Sequence, residues 1–368
     1  MRIAEVVEHL ERIAPPAWAE PWDNVGLLVG DAARPCRSVL ACIDLTAAVL
    51  AEARRRRAGL ILAYHPAIFK PLARVTAQVA PVVYAAARAG LAVYSVHTAF
   101  DAAVGGANDA LADALGMGAQ RRPLEPRCVE GAYKVVVYMP HGDLPGVSAA
   151  AFAAGAGCIG GYGECGFRVA GTGTFRGGPG THPTVGRPGR REEAAEVRWE
   201  TICPRRRLAG VLAAIREAHS YEEPAIDVVP QVDAPTGVGM GRVGALTRPA
   251  SLKTMLDRAR RACGVMHVQL ARPRGAKPRP IRMLAVGCGS GGSLCQAAAE
   301  AGADLYITGE LRHHDALAAV AAGLTVACVG HSNSERLTLG TLARRMEEAL
   351  PGLRVELSAE DRDPYEEG

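Results

Sequence analysis

Residues 59–65 read Gly-Leu-Ile-Leu-Ala-Tyr-His: a glycine, four apolar residues, then a histidine behind a tyrosine. The plan returns at 90–97 as Gly-Leu-Ala-Val-Tyr-Ser-Val-His. Far downstream it returns again at 323–331 as Gly-Leu-Thr-Val-Ala-Cys-Val-Gly-His. Short, continuous apolar runs of this kind suit strands covered on both faces. A fourth run, Asp304 to Ile307, leads into Thr308-Gly309-Glu310. Helical patterns fall between the runs at Leu45 to Arg57, Val82 to Ala89 and Asn108 to Leu115, with further strands at Leu27 to Val29 and Ser38 to Ile43. Strands alternating with helices predict an α/β fold with a largely parallel sheet. Open sheets of this class bind ligands beyond the carboxyl ends of their strands. His65, His97 and His331 therefore stand where a site is expected.

The middle of the chain has a different texture. Tyr133 to Met139 reads as a strand and Leu144 to Ala156 as a helix. A Gly-rich pair of short strands follows at Phe167 to Val169 and Thr172 to Phe175, then a strand at Glu196 to Cys203. A helix at Arg206 to His219 and a strand at Ala225 to Val229 complete it. The succession βα, ββ, αβ is that of a ferredoxin-like unit. The expected organisation is two similar α/β halves, 1–127 and 245–368, with an inserted α+β domain at 128–244.

Composition narrows the function classes. Net charge is only +4. The basic runs Arg54 to Arg57, Arg187 to Arg191 and Arg272 to Arg282 are local, and solvated surface is the stronger reading of each. That argues against nucleic acid as a partner. The ten cysteines form no Cys-x-x-Cys pair, so neither a zinc ribbon nor a disulfide framework is expected. Cys36, Cys42 and Cys328 sit in or beside apolar runs as small hydrophobes. The N-terminus reads as an amphipathic helix, not a signal peptide. No apolar stretch reaches the roughly 20 residues that span a bilayer. Cytoplasm is the expected location, with no membrane partner.

His331 and Glu335 lie four apart, on one face of a helix that opens after the strand. A histidine and a carboxylate so spaced suit Zn, Fe, Mn or Ni better than Ca. His65 and Asp101 follow two other strands and complete a mixed set of the hydrolytic-metal type. His97 and Glu310 are candidates for proton transfer or for supporting a ligand. His313-His314-Asp315 reads as a helix start at the rim. Gly287 to Gly292 is a turn whose amides could hold a phosphate.

Several motifs together resemble one family. They are Trp22-Asp23-Asn24-Val25-Gly26-Leu27, His65-Pro66 with Ile68-Phe69, His97-Thr98 with Asp101, and Gly105-Gly106-Ala107-Asn108-Asp109. Gly289-Ser290-Gly291-Gly292, Thr308-Gly309-Glu310, His313-His314-Asp315 and Gly330-His331 through Glu335 continue the match. The family is the GTP cyclohydrolase I type 2 homologs, or Nif-three-like proteins, and nearly the whole chain is covered. The middle segment is similar to the PII-like (CutA-like) insertion of some members. The likeness rests on Gly157, Gly160, Tyr162, Cys165, Phe167, Gly171 to Phe175 and His219-Ser220-Tyr221-Glu222-Glu223, with Ser220 where that insertion has proline.

The resemblance implies a dinuclear metal centre held by His65, Asp101, His331 and Glu335, with Glu335 bridging, and a toroidal homohexamer. One position departs: the family has two adjacent histidines before the proline, and here the first is Tyr64. A phenol with a pKa of about 10 is a poor ligand. One metal is therefore expected through His65, Asp101 and Glu335, and the second, beside His331, weak or absent. The implied activity is hydrolysis of a nucleotide or similar heterocycle by a metal-activated water, with His97 and Glu335 as catalytic candidates. The rival is a non-catalytic role: a metal-binding or metal-delivery scaffold, or an adaptor sensing a small ligand through its insertion.

Overall fold

A strand buried on both faces needs helices above and below it, and the alternation in the chain supplies them. The computed structural model describes residues 1–127, 132–231, 237–275 and 278–365. It divides into two compact units, Met1–Arg127 with Pro235–Gly368, and Cys128–Ala234.

The first unit holds two large sheets. One has the order β1 (Gly26–Val29), β4 (Ala92–Ser95), β3 (Leu60–Ala63), β2 (Ser38–Cys42), β17 (Arg354–Leu357). Its strands are parallel except β1, which runs antiparallel to β4. Every residue of β3 and β4 is buried. Side chains alternate between faces, as the pleat dictates. Ile61 and Ala63 pack under α2 (Ala47–Arg55) and α3 (Pro81–Arg88). Leu60, Leu62 and Tyr64 pack on the other face with α1 (Ile3–Ile13) and α11 (His331–Ala349). The apolar stripe of α1, Ile3, Val6, Leu10 and Ile13, is buried at helical spacing. Thr46 caps α2 by accepting the Val49 N–H at 3.2 Å, and Arg54 and Arg55 occupy its last turn, where cations suit the helix dipole.

The second sheet has the order β13 (Gln269–Ala271), β16 (Thr325–Cys328), β15 (Leu305–Glu310), β14 (Ile281–Ser290), β12 (Arg242–Ala250), β5 (Met117–Arg122). Its central strands β14, β15 and β16 are parallel and the rest antiparallel. One face packs on α5 (Ala107–Leu115) and α8 (Leu252–Cys263). The other packs on α9 (Cys295–Glu300) and α10 (His313–Ala321). Helix α11 touches strands of both sheets, β2 and β17 on one side, β14 and β15 on the other. A further helix, α4 (His97–Ala102), follows β4 directly. Arg242 is buried between its surroundings, donating to the Ala103, Gly239 and Gly241 carbonyls and to Asp109 Oδ2 at 2.9 Å. A buried guanidinium is tolerable only with partners of that number. Residues 239–244, grouped by sequence texture with the middle segment, belong here. Gly239–Met240 (β11) pairs with Glu125–Pro126 (β6), and Arg242 to Gly244 pair with β14.

The other unit runs β7 (Ala132–Pro140), α6 (Leu144–Ala153), β8 (Gly166–Arg176), β9 (Arg191–Pro204), α7 (Leu208–Ala218), β10 (Ile226–Pro230). This β-α-β-β-α-β succession is the ferredoxin-like one, and the antiparallel sheet has the order β10-β7-β9-β8. Val135, Val137, Trp199, Val211 and Ile215 are among its core. Two short strands were expected at 167–175, but one long strand is present. Glycines 171 and 173 weaken strand propensity, yet β9 offers a partner for every residue from Gly166 to Arg176, and pairing overrides propensity. Among the described residues no helix is long and apolar enough to cross a membrane.

Candidate metal centre

The end of β3 and the start of α11 meet in the first unit. His65 follows β3, and its N–H is held by the Ile43 carbonyl at 3.0 Å. Gly330, at φ +91, turns the chain so that α11 opens on His331. One helical turn later comes Glu335, 2% exposed. His65 Nε2 lies 3.1 Å from Glu335 Oε2, and His331 Nε2 lies 3.4 Å from Oε1. Donor atoms of the three residues all fall within 4.8 Å of one another. Gly289 (φ +64) makes this approach feasible, because a Cβ there would lie 2.5 Å from Glu335 Oε1. The glycine-rich end of β14 thus wraps the carboxylate. Its amides at Cys288, Gly289 and Gly291 bond Asn108 Oδ1, Ser334 Oγ and the Glu310 carbonyl, so they are not free to hold a phosphate.

Each imidazole is oriented from behind by an acid. His65 Nδ1 is 2.9 Å from Asp44 Oδ1, and His331 Nδ1 is 2.9 Å from Glu310 Oε1. These carboxylate–histidine pairs fix the ring so that Nε2 faces the centre, the arrangement typical of metal-ligating histidines. Burial alone would lower the His65 pKa, but Asp44 and Glu335 outweigh it and raise it to about 10. Glu335, against a smaller opposing effect of burial, raises His331 to about 9, helped by Glu310. Burial works to raise Glu335 itself, and the two histidines reverse this and hold it below the usual range.

The donor set fits a divalent cation. Glu335 Oε2 is buried and, despite its closeness to His65, has no aligned hydrogen bond among the described residues. Without a cation, two positively charged rings must sit with centroids 5.4 Å apart. A cation among the three Nε2 and carboxylate atoms replaces both protons and supplies the buried carboxylate with its counter-charge.

Asp101 is placed differently from the other expected ligands. It lies in α4, 5% exposed, and the Tyr64 hydroxyl donates to its Oδ1. It does not belong to the set that converges within 4.8 Å. Burial and the nearby Glu335 charge raise its pKa to about 7, against the lowering influence of His97, Tyr64 and His65. Tyr64 is fully buried; burial, then Asp101 and Glu335, push its phenol well above 10. His97 opens α4 at φ +24, a backbone conformation costly for a residue with a Cβ. Its Nδ1 is 2.8 Å from Asp23 Oδ1, and its ring stands edge-on to His65 with centroids 5.2 Å apart. Burial would raise Asp23, but bonds from His97 and Thr98 hold it low.

The three convergent donors are among the residues singled out in the sequence, and Glu310, a candidate there for proton transfer or for supporting a ligand, lies against His331 Nδ1. His313 and His314 start α10 but meet edge-on, with ring centroids 5.5 Å apart, outside the set. Cys36 and Cys42 are buried, whereas Cys328 is half-buried on a cavity wall beside His331. Asp44 and Asp23 were missed as supports. Asp44 follows β2 as His65 follows β3, so the strand-end argument applied once more would have found it.

Replacing either outer acid without changing its size tests the arrangement. Asp44→Asn and Glu310→Gln are each expected to weaken divalent-metal binding about 10- to 100-fold, read by competition with a chromophoric chelator. An Asp44→Asn protein with unaltered affinity would exclude this role for Asp44.

Fold and site together define an α/β protein that gathers two histidines and a carboxylate at strand and helix ends. The model of the Duf34/NIF3 (NGG1p interacting factor 3) family matches residues 1–364. The chain is 39% identical over 321 residues to the "GTP cyclohydrolase 1 type 2 homolog" of Mycobacterium tuberculosis, covering 86% of this chain and 83% of that one. To the protein of the same name from Halalkalibacterium halodurans it is 36% identical, covering 95% and 94%. A Bacillus cereus crystal structure described as related to NIF3 superposes with a TM-score of 0.73 at 32% identity, covering 100% and 99% of the two chains. The chain belongs to the Duf34/NIF3 family.

Proposed function

We propose that this protein is a divalent-metal-dependent hydrolase acting on a nucleotide-like heterocycle, with His65, His331 and Glu335 as the residues that hold the metal. The observation that carries the reading is the convergence of these donors, each imidazole backed by a carboxylate, beside a cavity of about 640 Å³. That volume is in the range of about 300–1,000 Å³ usual for small-molecule sites. Asp44, His65, Glu310, His331, Asn333 and Tyr365 are among its lining. The heterocycle follows the name the relatives carry, GTP cyclohydrolase 1 type 2 homolog.

When bound, the cation supplies acidity, lowering the pKa of water toward about 7. The chain's own groups do the rest. Glu335 brings the negative charge that binds, while Asp44 and Glu310 keep both rings aimed. His97, whose Nδ1 is committed to the Asp23 carboxylate, keeps Nε2 for moving a proton. The test is turnover of a nucleotide panel by protein loaded with Zn²⁺ or Mn²⁺. Turnover is expected in the native chain and abolished in His331→Ala, whose circular dichroism stays native. Equal turnover by His331→Ala would sink the reading.

One observation favours a second reading, a non-catalytic metal-binding or metal-delivery scaffold. Tyr64 and Asp101 bond each other, which removes a fourth donor from the convergent set. A single labile metal with no turnover would point there. The remaining proposals follow the resemblance: the unit Cys128–Ala234 as a PII-like insertion, and self-association into a hexameric ring.

A further inference from the structure

The ferredoxin-like unit has a cavity of its own, about 470 Å³, unrelated to the metal centre. Its floor is the end of β8, Glu196 on β9 and Tyr138 on β7; its wall is the 221–225 turn after α7. A segment of the β8–β9 connection folds over it and is tied down twice. The His182 N–H donates to Glu222 Oε2 at 2.9 Å, and the Thr184 hydroxyl donates to the Ser220 carbonyl at 2.8 Å. The wall is equally fixed. His219 is buried, with Nε2 3.0 Å from the Tyr138 carbonyl and Nδ1 accepting the Tyr221 N–H at 3.0 Å. Tyr221, Glu222 and Glu223, which the sequence singled out and the metal centre does not use, therefore line a preformed space.

The chemistry of that space is one-sided. Phe175, Pro183, Val185 and the rings of Tyr138 and Tyr221 make it mainly apolar. Among the described residues that line it are three carboxylates, Glu196, Glu222 and Glu223, and one guanidinium, Arg176. Glu222 is engaged by His182. Glu196 accepts only the Tyr221 hydroxyl, at 2.8 Å, and has no cationic partner among the described residues. Its seat is built, because a Cβ on Gly173 would lie 2.1 Å from Glu196 Oε2. Gly173 is thus the residue that admits the carboxylate. The acids are too dispersed for a bare metal ion: the described His, Cys, Asp and Glu groups that converge closely enough are those of the metal centre. An apolar body with one positive charge meets both requirements, by ion pairing to Glu196 and by the attraction of a cation to aromatic rings.

We propose that this cavity binds a small organic amine, its ammonium on Glu196 and its apolar body between Phe175 and Tyr221. The full-length protein is titrated with phenethylamine and, as the neutral counterpart, 2-phenylethanol, by calorimetry or saturation-transfer NMR. The expected result is saturable amine binding, with the alcohol at least about tenfold weaker, and an amine affinity reduced about tenfold by Glu196→Gln. Gly173→Ala, which forces the carboxylate from its seat, is expected to act like Glu196→Gln while leaving the melting curve cooperative. Equal affinity for amine and alcohol, an unaltered amine affinity in Glu196→Gln with both variants folded, or no saturable amine binding at millimolar concentration would each overturn the proposal. None of these outcomes bears on the metal centre, which lies in the other unit.

Discussion

Exchanging Glu335 for glutamine is expected to lower divalent-metal affinity by more than about a hundredfold, since outer-shell substitutions alone cost 10- to 100-fold. The side chain keeps its volume, so the buried packing around it survives. What is lost is the one negative charge that both imidazoles face at 3.1 and 3.4 Å. A second readout moves with it. In the metal-free protein His65 and His331 titrate at about 10 and 9, so at pH 7 both are protonated and a metal must displace those protons. Binding to the native chain therefore releases protons, and affinity climbs with pH toward those values. Without the Glu335 charge both rings fall back toward an ordinary value of about 6.5, and fewer protons are released at pH 7. Calorimetry in buffers of differing ionisation enthalpy measures both effects. The same shifts stabilise the metal-free fold. That contribution is complete below the unfolded pKa of about 6.5 and is lost as pH rises through 9 to 10. Undiminished affinity and proton release in Glu335→Gln would show that the three donors do not act on one cation.

Tyr64→His is expected to raise the metal content from one to two per chain. The native phenol is pushed well above its ordinary pKa by burial and by Asp101 and Glu335, so at neutral pH it remains a hydroxyl that donates to Asp101 Oδ1. It thereby offers no lone pair as a charged ligand and engages the carboxylate that would otherwise be available. An imidazole at 64 reverses both effects. Tyr64→Phe separates them, because it releases Asp101 without adding a donor, and its content is expected to stay at one. Metal analysis after dialysis decides, independently of activity. Histidine is smaller than the fully buried tyrosine, so a loss of about 1–3 kcal/mol in stability should accompany the substitution. A content of one in both native and Tyr64→His protein would show that Tyr64 does not set metal number.

The α/β character was legible because β3, β4 and β16 are buried enough to be written as continuous apolar runs, each closed by a polar residue. The pairing of distant runs into two sheets was not legible. Nothing local in Arg354 to Leu357 says that it sits beside Ser38 to Cys42 rather than beside its nearer neighbours. At the site, His331 and Glu335 were found by helical spacing and His65 by its strand end. Asp101 obeyed the same rule, yet the structure turns it toward Tyr64, a contact between side chains from different elements that periodicity does not encode. Gly289 was visible only as a glycine-rich turn. Its role depends on a carboxylate in a helix more than a full strand and helix away in the chain, so only the assembled structure reveals that a methyl group there would collide with Glu335.

Helix α11 is shared between the two sheets and carries two of the three convergent donors, while β17 behind it closes the edge beside β2. These elements come near the end of the sequence, after the whole ferredoxin-like unit. During synthesis the amino-terminal half emerges with His65 in place but with neither His331 nor Glu335, and with its sheet still one strand short. A chain that has not yet reached α11 cannot gather the three donors. Until α11 has packed between the two sheets, His65 is a lone imidazole backed by Asp44. The donor set is therefore a property of the assembled first unit and of no shorter stretch of its sequence.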